Sequence, residues 1–324
     1  MRIPFRLAPP DTRPFDAVGL GLNSVDLVAV VAEYPVSNSK QRLQRFARLC
    51  GGQTATAMAV TARLGWRTSY IGTFGGDELG TLSRQSLLDE GVDVTASGTV
   101  AEATNQFAVV LVDGRSGERT VLWDRHPALR MDPDKVDERA VCAGRMVLVD
   151  CHETAAAARA ARIARSAGIP TVLDVEKVRP GITELLQHSD AIIAAEAFPS
   201  ELTGYEAPGR ALEAIAREFD APLVAVTLGS EGSLARCGGR EIRTPAFRID
   251  CIDSTGAGDA FHGGFAAACL EYWDQDLDVE DALTYANAVA ALNCRALGAR
   301  GSMPTRDEVT QLLQTQPGRA RARF

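Results

Sequence analysis

Asp253-Ser254-Thr255-Gly256-Ala257-Gly258-Asp259, continued by Ala260-Phe261-His262-Gly263-Gly264, is the stretch that decides how the chain is read. Before it, Phe247-Arg248-Ile249-Asp250 reads as a short extended segment. After it, Phe261, Phe265, Cys269 and Tyr272 recur at helical spacing, so a helix buries that face. The small residues therefore stand where a loop enters a helix. Gly256 and Gly258 leave the backbone open to a close approach. A helix start adds unpaired N–H donors and a partial positive charge. The combination suits a phosphate. Asp259 adds negative charge beside that anion. It makes chemical sense if it takes the proton from a hydroxyl that attacks a phosphoryl group. Spacing alone leaves a second reading open, a glycine-rich turn with an Asp where helix starts favour one.

Composition bounds the rest. The chain has 324 residues, 46% of them apolar, enough for one large α/β domain or two small ones. A formal net charge of −8, spread without blocks, argues against a nucleic-acid partner. The one basic cluster, Arg319, Arg321 and Arg323, reads as a solvated tail. Seven scattered cysteines without a CxxC pair suggest neither zinc nor a disulfide framework. No signal-peptide core appears and no apolar run approaches ~18 residues, so a cytoplasmic protein without a membrane partner is expected.

Working outward, Phe15 to Leu22 reads as a first strand, and its Gly-Leu-Gly-Leu lacks the third glycine of a dinucleotide fingerprint. Asp26 lies beyond it, where open α/β sheets bind ligands. Residues 36–50 suggest an exposed strand pair. Cys50-Gly51-Gly52-Gln53-Thr54-Ala55-Thr56 opens an Ala-rich helix closed by Gly65, a second glycine-rich helix start. Asp77 starts another helix. Gln106–Val112 and Arg119–Trp123 flank a hairpin signal. From Met146 onward short strands alternate with helices, which implies a mostly parallel sheet covered on both faces. Leu223–Thr227 runs into a third glycine turn at Gly229 and Gly232. The two early β regions break the alternation and read as a small accessory sheet.

These marks, in this order, resemble the ribokinase-like (PfkB) carbohydrate kinases over about residues 15 to 312. Asp253–Asp259 resembles the C-terminal signature of that family, and Gly51-Gly52 with Leu64-Gly65 the N-terminal one. Gly72, Gly75, Asp77 and Gly80 match its next glycine run, and Thr227–Gly232 its nucleotide turn. The resemblance implies a three-layer α/β/α domain over residues 14–324, with a small β-sheet lid from 22–50 and 104–125. It implies an ATP-dependent sugar kinase with Asp259 as base and the N–H groups of Gly256, Ala257 and Gly258 around the transferring phosphoryl. Asp26, Gly52, Gln53 and Thr56 would hold the sugar. Thr227, Gly229, Gly232, Asn287 and Lys177 would serve the nucleotide. ATP and Mg2+ are the implied cofactors, with K+ as a further candidate. Asp253, Ser302 and Glu196 are the metal candidates, and the carbonyls from Cys294 to Ala299 would join a monovalent-cation site.

The chain departs from the family pattern at Thr56, where an Asn is usual. It departs again at Ala195-Glu196-Ala197-Phe198, where Asn-x-x-Glu is usual. Asp26-Leu27-Val28, Arg119–Leu122 and Val175-Glu176-Lys177 look like ketohexokinase. Thr54–Ala57, Asp259–Gly263 and Ala290–Cys294 look like sulfofructose kinase. Cys151-His152-Glu153 stands where a sulfonate-binding Arg would be. A ketose without a sulfonate, and a homodimer formed through the lid, are therefore expected. A nucleoside kinase and a non-catalytic sugar- or nucleotide-binding regulator are the alternatives.

Overall fold

The computed structural model describes residues 1–116 and 118–316. Arg319, Arg321 and Arg323 lie outside the described residues, as does Gly117 of the hairpin. The chain opens on β1 (Phe15–Leu20), leaves it for β2 (Ser24–Val31) and β3 (Arg45–Gly51), and returns through α1 (Gln53–Arg63) and β4 (Thr68–Ile71). β5 (Thr73–Gly75), α2 (Glu78–Asp89) and β6 (Gly98–Val100) lead to the hairpin β7 (Phe107–Asp113) and β8 (Arg119–Asp124). Then come α3 (Glu138–Val141), β9 (Gly144–Asp150), α4 (Thr154–Ser166), β10 (Thr171–Val175), α5 (Ile182–Gln187) and β11 (Ala191–Ala195). After α6 (Phe198–Thr203), α7 (Pro208–Glu218) and β12 (Leu223–Thr227) lie β13 (Ser233–Cys237) and β14 (Arg240–Thr244). The helices α8 (Ala257–Glu271), α9 (Val279–Asn293) and α10 (Arg306–Thr315) complete the order.

Eight strands form the central sheet in the order β14-β13-β12-β11-β10-β9-β1-β4. It is parallel except at the β12–β13–β14 edge. β9, β10, β11 and β12 read as apolar runs because both sheet faces are covered. Successive residues point to opposite faces. Leu148, Val172 and Ile193 pack with Met58 of α1 and with Phe261 and Phe265 of α8. Their chain neighbours Val147, Leu173 and Ile192 pack with α4, α5 and α7 through Ala157, Leu185 and Ile215. The result is the three-layer α/β/α arrangement. Gly263 and Gly264 let α8 sit close to its neighbours. A Cβ on Gly263 would come within 2.7 Å of Ala57 O, and one on Gly264 within 2.8 Å of Val289 Cβ.

The accessory sheet is real and separate, with the order β3-β2-β7-β8. β2 pairs antiparallel with β3 and parallel with β7, and β7 pairs antiparallel with β8. All four strands fall in the segments expected to form a lid. Two local expectations change. Of residues 36–50 only the stretch from Arg45 is strand, pairing with β2. The segment 247–250 is irregular rather than extended strand. No described helix is long and apolar enough to cross a membrane.

Candidate active site

The parallel strands deliver their C-terminal ends to one edge of the sheet, where ligands of open α/β sheets bind. Asp150 ends β9, Asp174 is the penultimate residue of β10, and Thr227 ends β12. Asp150 is fully buried. Its Oδ2 accepts from Leu22 N at 2.7 Å and Thr54 Oγ1 at 2.6 Å, and its Oδ1 accepts from His152 N at 3.0 Å. The glycine at 21 is explained by this carboxylate, since a Cβ there would lie 2.1 Å from Asp150 Oδ2.

Opposite the strand ends stands the N-terminus of α8. Gly256 caps it at φ 74°, and a Cβ on Gly256 would meet Ala299 Cα and O at 2.5 Å. Only glycine fits both that backbone and that approach. Ala257 N already donates to Ser254 O at 3.2 Å. The next N–H groups, those of Gly258 and Asp259, are first-turn donors without an acceptor four residues back. The space beside Gly258 is open. Asp259 follows in that first turn, half-buried. Burial and the neighbouring Asp174 push its carboxyl up to about 7, against a downward pull from His262.

Asp26 reaches the same region from β2. Burial and the nearby Asp253 push it up to about 6, and Arg300 pulls it down. Arg300 is a residue that sequence reasoning missed. It donates to Thr56 Oγ1 at 3.1 Å, Ser86 Oγ at 2.9 Å and Gly51 O at 2.9 Å. Its desolvation lowers its own pKa. Asp150, Asp174 and His262 were likewise missed as site residues. The strand-end positions of the two Asp residues were a usable signal. His262 and Arg300 gave none.

The expected residues fare unevenly. Gly52 caps α1 at φ 94°. Gln53 Nε2 donates to Asp174 Oδ1 at 3.2 Å, and its Oε1 is buried with no hydrogen-bond partner among the described residues. Thr56 is fully buried, and its Oγ1 accepts from Arg300 Nε at 3.1 Å. Asn287 donates its amide to Thr244 Oγ1 at 3.0 Å and Ser233 Oγ at 3.2 Å, tying α9 to β13 and β14. Within that turn Gly229 has φ 54° and Gly232 φ 93°, and Thr227 lies beside Ala195 in register. Lys177 stays exposed, while Glu176 pairs with His152 at 3.4 Å and Arg179 at 3.2 Å.

Glu196 is exposed at the end of β11. Among the described residues no group of three or more His, Cys, Asp or Glu is arranged around a metal. Asp253 is heavily bonded. Its Oδ1 accepts from Thr255 N at 2.9 Å and Thr255 Oγ1 at 2.7 Å, and its Oδ2 accepts from Gly298 N at 2.8 Å. Burial would raise this carboxyl, but those donors and Arg119 hold it below its ordinary range. Two carbonyls of the expected cation loop are also engaged. Cys294 O accepts from Ile252 N at 2.8 Å, and Ala299 O from Asn293 Nδ2 at 2.9 Å. Ser302 is half-buried in the turn that follows.

A cavity of about 240 Å3 opens between the inner face of the lid and the loop before α8, walled by Asp26, Val28, Val110, Arg119 and Asp253. A larger one, about 450 Å3, lies at the far end of α8 under the N-terminal segment, near Phe5 and Trp273, away from the strand-end carboxylates.

The sequence model of the pfkB family carbohydrate kinases matches residues 16–306. An ATP-dependent ribose-1-phosphate kinase of Halopiger xanaduensis is 32% identical over 89% of this chain and 94% of its own. Ribokinase of Bacillus subtilis is 29% identical over 91% of this chain and 98% of its own. Arabidopsis thaliana ribokinase, solved with ribose and ATP, superposes with a TM-score of 0.81 at 28% identity, covering 93% of this chain and 99% of that one. The chain belongs to the PfkB family of carbohydrate kinases and has the ribokinase-like fold. It is an ATP-dependent kinase of a carbohydrate or nucleoside.

Proposed function

We propose that this kinase transfers the γ-phosphoryl group of ATP to a hydroxyl of a small ketose, with Asp259 as the general base. The observation that carries the reading is the placement of a carboxyl pushed up to about 7 within the donor-rich first turn of α8. A base whose pKa lies near the working pH combines availability with driving force. Asp259 takes the proton of the attacking hydroxyl. The new bond joins that oxygen to the γ-phosphorus, and the bond from the γ-phosphorus to the leaving ADP oxygen breaks. The N–H groups of Gly256 and Gly258 line the side of the transferring group and supply fixed dipoles where charge develops, while the Ala257 N–H, expected to join them, is held by Ser254 O. Asp26, with the Oε1 of Gln53 and the backbone of Gly52, binds sugar hydroxyls under the lid. Thr227, Gly229 and Gly232 line the nucleotide, over the support of Asn287, with Lys177 at its phosphate end.

Magnesium, brought with ATP, would supply positive charge to offset that of the phosphates. Glu196, exposed at the end of β11, is the carboxylate that would hold it through water. Potassium would take Ser302 and the carbonyls between Arg295 and Gly298, beside an Asp253 already fixed by protein donors.

A fructokinase of Oryza sativa, 28% identical over 92% of this chain, supports a ketohexose, and the ribokinase relatives make ribose the second reading. The intact Asp259 favours an enzyme over a non-catalytic regulator. On the lid, Phe46, Val109 and Leu122 are 55%, 37% and 64% exposed on the face away from Asp26, an apolar patch that a second copy would cover in a homodimer.

The test is ADP release across ketoses, aldoses, their monophosphates and nucleosides, with and without potassium, for the wild type and Asp259→Asn. Turnover with a ketose that the variant lowers by about 10²-fold or more, with ATP affinity retained, is the expected result. A variant that keeps its turnover removes Asp259 from the role of base.

A further inference from the structure

His262 lies one turn beyond Asp259 on α8 and is only 3% exposed. Its Nδ1 is 2.8 Å from Gly258 O, and its Nε2 is 3.3 Å from Ile193 O on β11. Asp174 Oδ2 stands 3.5 Å from Nδ1. Carbonyl oxygens only accept hydrogen bonds, and a neutral imidazole has a single N–H. In the neutral ring one nitrogen would therefore set its lone pair against a carbonyl, inside the core. A ring with two N–H groups satisfies both neighbours. Burial is the largest influence on the imidazole and draws its pKa below the ordinary value, toward the neutral form, while the Gly258 and Ile193 carbonyls and the carboxylates of Asp259 and Asp150 oppose it. Against that stands the geometry, a carbonyl oxygen at each ring nitrogen, and leaving a buried polar group unmet costs about 1–3 kcal/mol.

We propose that His262 is held as an imidazolium between the carbonyls of Gly258 and Ile193, and that as a positioning residue it keeps Asp259 ionised for proton abstraction. The inference rests on the reading of Asp259 as the base. Four groups face Asp259 from the elements around it. Asp174 on β10 and Asp150 on β9 favour its protonation, whereas His262 on α8 and Arg300 after α9 favour the carboxylate. His262 is the cation on the same helix face as the base. A ring that only staples α8 to β11 would fix geometry and leave the proton affinity of Asp259 alone.

The two roles separate in the pH dependence. In His262→Gln the acid limb of kcat/KM moves to higher pH by about one unit or more, so the loss of activity is greatest at acid pH and shrinks above it. A uniform loss with an unmoved acid limb overturns the proposal. Ring 15N NMR gives a reading that needs neither turnover nor a folded His262 variant. The chain has four histidines. Replacing His126, His152 and His188 leaves the signals of His262 alone. Both ring nitrogens at protonated shifts at pH 7.5 support the imidazolium, and one unprotonated nitrogen overturns it. If no sugar is phosphorylated, the reading of Asp259 fails on its own assay while the NMR still decides the charge of His262.

Discussion

Arg119 Nη1, on lid strand β8, lies 3.8 Å from Oδ1 of Asp253, in the loop that enters α8. Asp253 is 13% exposed at its side chain and Arg119 46%, so the contact is made at the rim. Through Asp253 the lid touches the same loop that ends in Gly256. The accessory sheet and the loop that ends in Gly256 are thereby linked by a charge pair at the wall of the cavity between them.

Such a half-exposed pair contributes modestly, about 0.2–1 kcal/mol. Arg119→Ala is expected to raise the KM for the sugar about two- to five-fold, with the KM for ATP little changed, and the difference should shrink in high salt. Steady-state kinetics at low and high ionic strength checks this. An unchanged sugar KM at low salt would mean that the contact has no part in lid closure.

Gly256→Ala tests the turn itself. A Cβ at 2.5 Å from Ala299 must displace backbone, and the φ of 74° adds strain of about 1–2 kcal/mol for a residue with a side chain. The displaced turn misaims its donors, and losing one such donor costs about 10²–10³-fold in kcat. The expected result is that loss with a folded protein by circular dichroism. A variant with normal kcat would show that the turn does not face the reacting group.

The raised pKa of Asp259 has consequences for rate and for stability. A base near 7 must be ionised to act, so kcat/KM should fall about tenfold per unit below that pH. For stability the sign is opposite. A carboxyl at about 7 in the fold and about 3.9 in the unfolded chain binds its proton more tightly when folded, so stability is lost as pH rises between those values. Asp259→Asn should therefore unfold at a higher temperature than the wild type at pH 8, by about 2 °C or more, with the difference vanishing near pH 4. Calorimetry at the two pH values measures it, and equal melting temperatures at pH 8 would show that the carboxyl is not strained there.

The sequence by itself determined the α/β alternation, the accessory sheet and the helix start at Asp259. Each depends on local rules. Apolar runs of strand length mark β9 to β12, glycine marks the turn at Gly256, and an acidic residue in a first helical turn marks Asp259. The tertiary structure alone decided which side chains meet that turn. Arg300 donates to the backbone of Gly51 across 249 residues of chain, and nothing in either stretch announces it. The hydrogen bonds of Thr56 to Arg300 and of Asn287 to Thr244 likewise join residues far apart in the chain. Asp150, Asp174 and His262 come together only when parallel pairing aligns the ends of β9, β10 and β11 under α8. The reason is physical. Backbone conformation follows from neighbours in the chain, whereas burial and the proton affinity of a carboxyl follow from neighbours in space.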